Sequence, residues 1–424
     1  MPAGRRDARC NPPTRSSSLT SDPRHLLLEA YCSALAAVGG RNRVCRRLAG
    51  ADFPDGVYVV ALGKAACAMA EGAHDALDGQ IRDALVITKR GYAQPLPWPV
   101  LEAGHPRPDA GSIDAGRALL AFIDRLPEAA EVLILLSGGA SALAEVLPDG
   151  VDLDALQRVN DWLLGSGLDI AAMNRIRKHL SLIKGGRLAQ RLAPRRTLCL
   201  AISDVPGDDP RAIGSGPLTA DDSAGDSSSL PPWLAELLRA APPLPARGAA
   251  CLENVRYEII ASNRDAVAAA VEAVERLGAV AVAEPEFVTG DAATVGARLA
   301  RTLRATAPGT VHVWGGETTV KLPPRPGRGG RCQQLALAAA LGLKGSTDTW
   351  LLAAGTDGSD GPTDDAGALV DGETVARGEL AGADVVAALR AADAGSFLEA
   401  SGDLMQTGPT GTNVMDLMLG LRSG

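Results

Sequence analysis

The stretch "VVALGKAACAMAEGA", residues 59–73, decides how the rest of the chain is read. An apolar run ends at Gly63, one lysine follows, and an alanine-rich run of helical composition begins. A continuous apolar run suits a strand buried on both faces, and a helix directly after it completes half of a β–α unit. The pattern repeats outward in "DALVIT" (83–88), "EVLILL" (131–136) and "TLCLAI" (197–202), with Ala- and Leu-rich helical segments between them. A further helix is expected over about 25–38. Strands alternating with helices predict a parallel sheet covered on both faces.

"DDSAGDSSSLPPWL" (221–234) and "APPLPARGAA" (241–250) interrupt the alternation, and their Pro, Gly and Ser read as loop and linker. The alternation resumes with "YEIIAS" (257–262), "AVAVAE" (279–284), "TVHVWG" (310–315) and "TWLLAAG" (349–355). At 424 residues the chain exceeds what one core usually serves. Two α/β domains are therefore expected, over 24–245 and 250–424, with the boundary near residue 245. The opening "MPAGRRDARCNPPTRSSSLTSDP" has no apolar stretch, so residues 1–23 read as a disordered tail rather than a secretory signal.

The net charge of −8 argues against a nucleic-acid partner, which would need a basic face. It leaves room for a small anionic substrate at a locally positive site. The longest apolar runs fall far short of the ~20 residues of a membrane span. Seven scattered cysteines without a C-x-x-C pair suit free thiols in a reducing cytoplasm better than a disulfide framework or zinc site.

Several strand ends carry chemistry. Lys64 is one of only six lysines among 42 basic residues. A surface lysine in the first turn of a helix is one reading. Because the positive end of the helix dipole disfavours a cation there, a bound anion is the other. Ser137-Gly138-Gly139-Ala140-Ser141 joins a strand to a helix, either as a plain tight turn or as a backbone cradle for phosphate. "MNRIRKHLSLIKGGRLAQRL" (173–192) reads as a helix with Arg177 and Lys184 on one face, either solvated or turned to an anionic substrate. Asp204, Asp208 and Asp209 crowd one loop, where carboxylates serve turns, Mg²⁺ or proton transfer. "GTDGSDGPTDD" (355–365) could pass for a cation loop or a set of Asx turns, and Glu317 follows a Gly-Gly pair at a strand end. No G-x-x-x-x-G-K-[ST] and no G-x-G-x-x-G opening a β–α turn occurs.

Taken in order, "ALGKAACAMA", "EAGHPRPDAGS", "LLSGGASAL", "IRKHLSLIKGGRLA", "ISDVPGDDPRAIGSGP", "GGETTV", "GRGGRCQQLALAAA", "AAGTDGSDGPTDDAGALVDG" and "TGPTGTNVMDL" resemble the class II glycerate kinases over residues from about 25 to 420. The resemblance implies a Rossmann-like N-terminal domain, a smaller α/β C-terminal domain containing the MOFRL region (about 309–417), and an active site in the cleft between them. It implies ATP- and Mg²⁺-dependent phosphorylation of D-glycerate at the 2-hydroxyl. Charge, apolar runs and cysteines point to a cytoplasmic protein with no nucleic-acid or membrane partner, and a homodimer is the candidate assembly. Carried onto this sequence, Lys64, Asp204 and Arg331 become catalytic candidates. Ser137, Gly138, Gly139, Ser141 and Asn263 become ATP-side candidates, and Arg177 and Lys178 substrate-side candidates. Asp204, Glu317 and Asp357 become metal-side candidates. Hydroxypyruvate reduction and non-catalytic sensing are the rival readings. Ala140, Cys332 and Gln334 depart from the family's usual Gly, Asn and Glu.

Overall fold

A computed structural model describes residues 22–424 apart from 167, 169, 222–229 and 241. The expectation for the N-terminal tail therefore lies almost wholly outside the described residues. The chain forms two compact units, one of Gly40–Ala261 and one joining the residues up to Gly39 with Ser262–Gly424.

Gly40–Ala261 holds six strands, β1 (Val57–Leu62), β2 (Ile81–Lys89), β3 (Val100–Ala103), β4 (Glu131–Leu136), β5 (Arg196–Ile202) and β6 (Val255–Ala261). Every pairing is parallel, in the order β3-β2-β1-β4-β5-β6. This is a doubly wound order, and its winding reverses between β1 and β4. Leu62 is level with Ile87 on one side and with Leu136 on the other, so the loops after β1 and β4 leave the sheet at one height, while β2 runs two residues further, to Lys89. The core under these loops is aliphatic: Val60, Leu62, Ile87, Leu119, Ile134 and Leu136 are buried together.

The chain boundary differs from the sequence expectation. Strand β6 pairs with β5, so the first sheet continues past residue 245. The proline-rich segment expected as a linker packs inside this unit. A Cβ on Gly185 would lie 2.7 Å from Leu244, and one on Gly186 would lie 2.7 Å from Pro245. Helix Pro23–Val38, capped by the Asp22 side chain, belongs instead with the C-terminal residues.

The other unit contains β7 (Val280–Ala283), β8 (Val288–Asp291), β9 (Thr310–Thr319), β10 (Thr349–Gly355), β11 (Gly367–Asp371), β12 (Leu404–Met405) and β13 (Asp416–Arg422). Their order is β12-β11-β10-β13-β9-β7, with β8 also on β9. The sheet is mixed: β7 and β8 run parallel to β9, while β9, β10, β11, β12 and β13 pair antiparallel. Helix Arg331–Leu343 covers it, burying Leu335, Leu337 and Ala339 in a core with Trp314, Leu351 and Phe397. Tyr31, on the N-terminal helix, donates to the Gly355 carbonyl at 2.7 Å.

Among the described cysteines, Cys45, Cys67, Cys199, Cys251 and Cys332 are free thiols, as expected, whereas Cys32 is disulfide-bonded. No helix among the described residues is long and apolar enough to cross a membrane.

Candidate functional site

In the parallel unit the opening stretch does form a strand, a turn and a helix, the last over Ala66–Leu77. The turn is sewn to the loop after β4. The Lys64 N–H donates to the Gly138 carbonyl at 2.9 Å, the Ser137 N–H to Leu62 at 2.9 Å, and the Ala65 N–H to Ser137 Oγ at 3.0 Å. Gly63 adopts φ +129°, and a Cβ there would collide with Ser137. Gly139 adopts φ +84°, and a Cβ there would lie 3.2 Å from Lys64 Cγ. Glycine is required at both places, for the backbone angle and for the close approach of two loops. Lys64 thus sits half-buried where the strand order reverses, the place at which open α/β sheets bind ligands.

The remaining candidates of this unit divide. The helix after Gly139 is a single turn, Ala140–Leu143, too short to add a useful dipole, so any anion preference of this loop rests on its amides. The Ser141 hydroxyl is hydrogen-bonded to that of Ser215 at 2.8 Å. Asp204 is half-buried just beyond β5, while its neighbour Asp209 is tied to Arg211 at 2.8 Å, and that contact holds its carboxyl below the ordinary aspartate pKa.

The basic cluster is not a helical face. The helix ends at His179, and Lys184 lies in the turn that follows. Neither is the cluster solvated, for Lys178, Lys184 and Arg187 are all buried. Lys178 pairs with Asp221 at 2.6 Å and Lys184 with Glu145. Arg187 donates to the carbonyls of Lys178, Ser181 and Pro242, and burial pulls its pKa down to about 10. Arg177 is half-buried and bonded to Asn160 at 3.1 Å, with burial lowering its pKa. Charges removed from water need such partners, and the partners lie 39 and 43 residues away in sequence.

In the mixed unit a second group forms at one sheet end. Asp416, the first residue of β13, is level with Gly316 of β9 and Gly355 of β10. Its buried carboxylate accepts from Arg331 Nε at 2.6 Å and Nη2 at 2.9 Å, while Glu317 takes Nη1 at 3.0 Å. Burial works against the guanidinium charge, but the charge and hydrogen bonds of Asp416 outweigh it and hold the pKa above the ordinary arginine value. Asn263 donates both amide hydrogens at the entry to β13, to Val414 O at 2.8 Å and Asp416 O at 3.0 Å. Its side chain therefore holds the strand.

Asp360 caps helix Arg331–Leu343, accepting from the N–H groups of Cys332 at 3.1 Å and Gln333 at 2.8 Å. Asp357 forms a turn with the Ser359 N–H at 3.0 Å, and Asp365 pairs with Arg328 at 2.6 Å. The turn-forming reading of "GTDGSDGPTDD" is the one these contacts support. Among the described residues no three His, Cys, Asp or Glu side chains come close enough to cage a metal. Asp416, Glu145, Asp221 and Asp360 were not singled out from sequence, although Asp416 is the D of "NVMDL" and Asp360 the second Asp of "GTDGSDGPTDD".

A doubly wound sheet with a lysine at its reversal, joined in one chain to a mixed sheet with an anchored arginine, defines a two-unit α/β protein. Comparison narrows the class. Residues 26–229 match the family described as Domain of unknown function (DUF4147), and residues 310–416 match the MOFRL family. D-glycerate 2-kinase of Thermotoga maritima is 38% identical over 87% of this chain and 91% of its own length. An Agrobacterium vitis protein whose name proposes hydroxypyruvate reductase activity is 37% identical over 93% of each chain. The crystal structure of a glycerate kinase from Thermotoga maritima matches with a TM-score of 0.81 at 35% identity, over 94% of this chain and 98% of that one. The chain belongs to the class II glycerate kinase family.

Proposed function

We propose that this protein transfers the γ-phosphoryl group of ATP to the 2-hydroxyl of D-glycerate, giving 2-phosphoglycerate and ADP in the cytoplasm. The observation that carries the reading is Lys64 at the strand-order reversal, backbone-bonded to the glycine loop after β4, in a chain aligned with 91% of a D-glycerate 2-kinase. The 2-oxygen bonds to the γ-phosphorus, the bond from that phosphorus to the β,γ-bridging oxygen breaks, and the hydroxyl proton passes to the Asp204 carboxylate. Such a transfer needs alignment and positive charge more than covalent help. Lys64 neutralises the transferring group, and the Gly138 and Gly139 backbone with Ser137 and Ser141 cradles the nucleotide phosphates. Arg331, anchored by Asp416 and Glu317, offers a positive charge to an anionic group of the reactants. Arg177 and Lys178 act through the substrate side of the fold rather than by contact, since Lys178 is paired with Asp221.

Asp204, at the end of β5, is the carboxylate we assign to Mg²⁺, with Glu317, which pairs with Arg331, and Asp357, which forms its own turn, as the other candidates. Mg²⁺ is commonly held by one or two carboxylates together with substrate phosphates, whose charge it neutralises. Hydroxypyruvate reduction is the second reading. It draws on the same strand order, which elsewhere carries dinucleotides, and on the name of the Agrobacterium vitis relative. Against it, Gly63-Lys64-Ala65 lacks the glycine fingerprint.

The test is incubation with D-glycerate, ATP and Mg²⁺, with the product's phosphate position read by phosphorus NMR. Phosphate on the 2-oxygen is expected. A 3-phosphate product, or NADH oxidation with hydroxypyruvate in place of ATP turnover, overturns the reading.

A further inference from the structure

The segment "EAGHPRPDAGS" (102–112) has so far been given no task. It leaves the sheet at β3, two strands away from β1, yet its histidine reaches the reversal point. A Cβ built on Gly139 would lie 3.1 Å from His105 Cδ2 and 3.3 Å from His105 Nε2, as well as 3.2 Å from Lys64 Cγ. The Nε2 edge of the imidazole and the stem of Lys64 therefore flank the same point of backbone, in the loop that follows β4.

The loop holding His105 is fixed from below. Asp109 accepts from the Gly104 N–H at 3.1 Å and the Ser112 N–H at 3.0 Å through one oxygen, and from Arg90 at 2.8 Å through the other. The Arg90 N–H in turn bonds to the Ala103 carbonyl at 3.1 Å. A Cβ on Gly104 would lie 2.8 Å from the Arg107 carbonyl, so the turn is tight on its inner side. One carboxylate thus caps helix Ala110–Asp124 and closes the turn that aims the imidazole. Side chains fixed in this way, at the carboxyl ends of parallel strands, are where ligand contacts are built.

We propose that His105 is a further side chain of the anion site, its Nε2 edge contacting the transferred phosphoryl group beside Lys64. This rests on the phosphotransfer reading for the identity of the anion. A side chain at 139 would be strained by the φ of +84° and would press on both His105 and Lys64, so Gly139 leaves room for imidazole and lysine beside one spot.

The test pairs kinetics with a binding readout on the full chain. His105→Ala should lower kcat by about 10², the scale for loss of one positioned donor. His105→Gln, whose amide can donate from nearly the same place, should recover at least about tenfold of it. ATP added to the wild-type protein should shift the ¹⁵N resonances of His105, a result that does not depend on glycerate turnover. Wild-type kcat in a folded His105→Ala protein, equal losses in the Ala and Gln variants, or unmoved His105 resonances at saturating ATP overturn the proposal. A His105 response to ATP in a protein that leaves glycerate unphosphorylated supports the site and overturns the glycerate reading.

Discussion

Arg331 and Asp416 meet through two parallel hydrogen bonds, of 2.6 and 2.9 Å, across 85 residues of sequence. The guanidinium opens a helix and the carboxylate opens the strand that runs between β9 and β10. A planar fork held at two points cannot swing, and a misplacement of about 1 Å in a phosphoryl-transfer site can cost about 10² in rate. Asp416→Asn keeps the shape but gives up the charge and one acceptor. It is expected to lower kcat by about 10² while the protein stays folded. Steady-state kinetics beside a melting curve check this, and unchanged kcat would show that Glu317 alone holds the arginine.

Lys64 occupies a narrow place, with its own N–H on Gly138 and its stem against Gly139. Lys64→Ala is expected to lower glycerate kinase activity by about 10²–10³ with little change in fold. Arginine is a wide planar group and lysine a compact point charge, so Lys64→Arg should not restore the rate. Activity near wild type in the Arg variant would mean that positive charge suffices without shape.

Gln334 stands where the family usually has Glu, and the structure answers what the amide does. Its Nε2 donates to the Leu389 carbonyl at 2.9 Å, while Arg331 is held by Asp416 and Glu317. A carboxylate there would face a carbonyl in a buried position. Gln334→Glu is therefore expected to destabilise the fold by about 1–3 kcal/mol, with no gain in turnover. Chemical denaturation and Mg²⁺-dependent kinetics on the same preparation decide the matter: a faster or tighter-binding Glu variant would restore a catalytic role to position 334.

Asp360 supplies a pH dependence. Burial pushes its carboxyl up to about 7, helped by the charge of Asp416 and opposed by the Gln333 N–H. In the unfolded chain the same group loses its proton near pH 3.9. Between about pH 4 and 7 the folded state binds the extra proton, so this residue's contribution to stability falls as pH rises through that window. Asp360→Asn should flatten the decline of melting temperature across it. Parallel curves for the two proteins would show that Asp360 ionises in the fold as it does in the open chain.

Local pattern in the sequence was enough to find most strands. "VYVVAL" and "EVLILL" are β1 and β4 to the residue, because unbroken apolar runs between turn formers admit little else. Strand β3 is only four residues long, and β13, "DLMLGLR", has the Leu and Met of a helix, so neither declares itself by composition. Sheet membership was less legible. Strand β6 reads like any other apolar run, and only its hydrogen bonds to β5 assign it to the first sheet. Lys64 and the glycine loop were visible because unusual residues stand at strand ends, whereas Arg331, which opens a helix, was a candidate only through the family resemblance. The burial of Lys178 and Lys184 was not, since it depends on Asp221 and Glu145, which no periodicity connects to them.

One unit is assembled from both sides of the other along the chain, and this has a consequence for synthesis. The parallel sheet is complete once residue 261 has been made. Helix Pro23–Val38 by then has no mate. Arg24 must wait for Asp371, 347 residues further on, and Tyr31 for the carbonyl of Gly355, 324 residues further on. On a ribosome adding about 5–20 residues each second, that delay is on the order of tens of seconds. The main packing partner of Pro23–Val38, helix Asn263–Arg276, follows directly on the first unit, but the contacts with the mixed sheet must wait. The helix translated early is thus packed in two stages, against a helix first and a sheet much later.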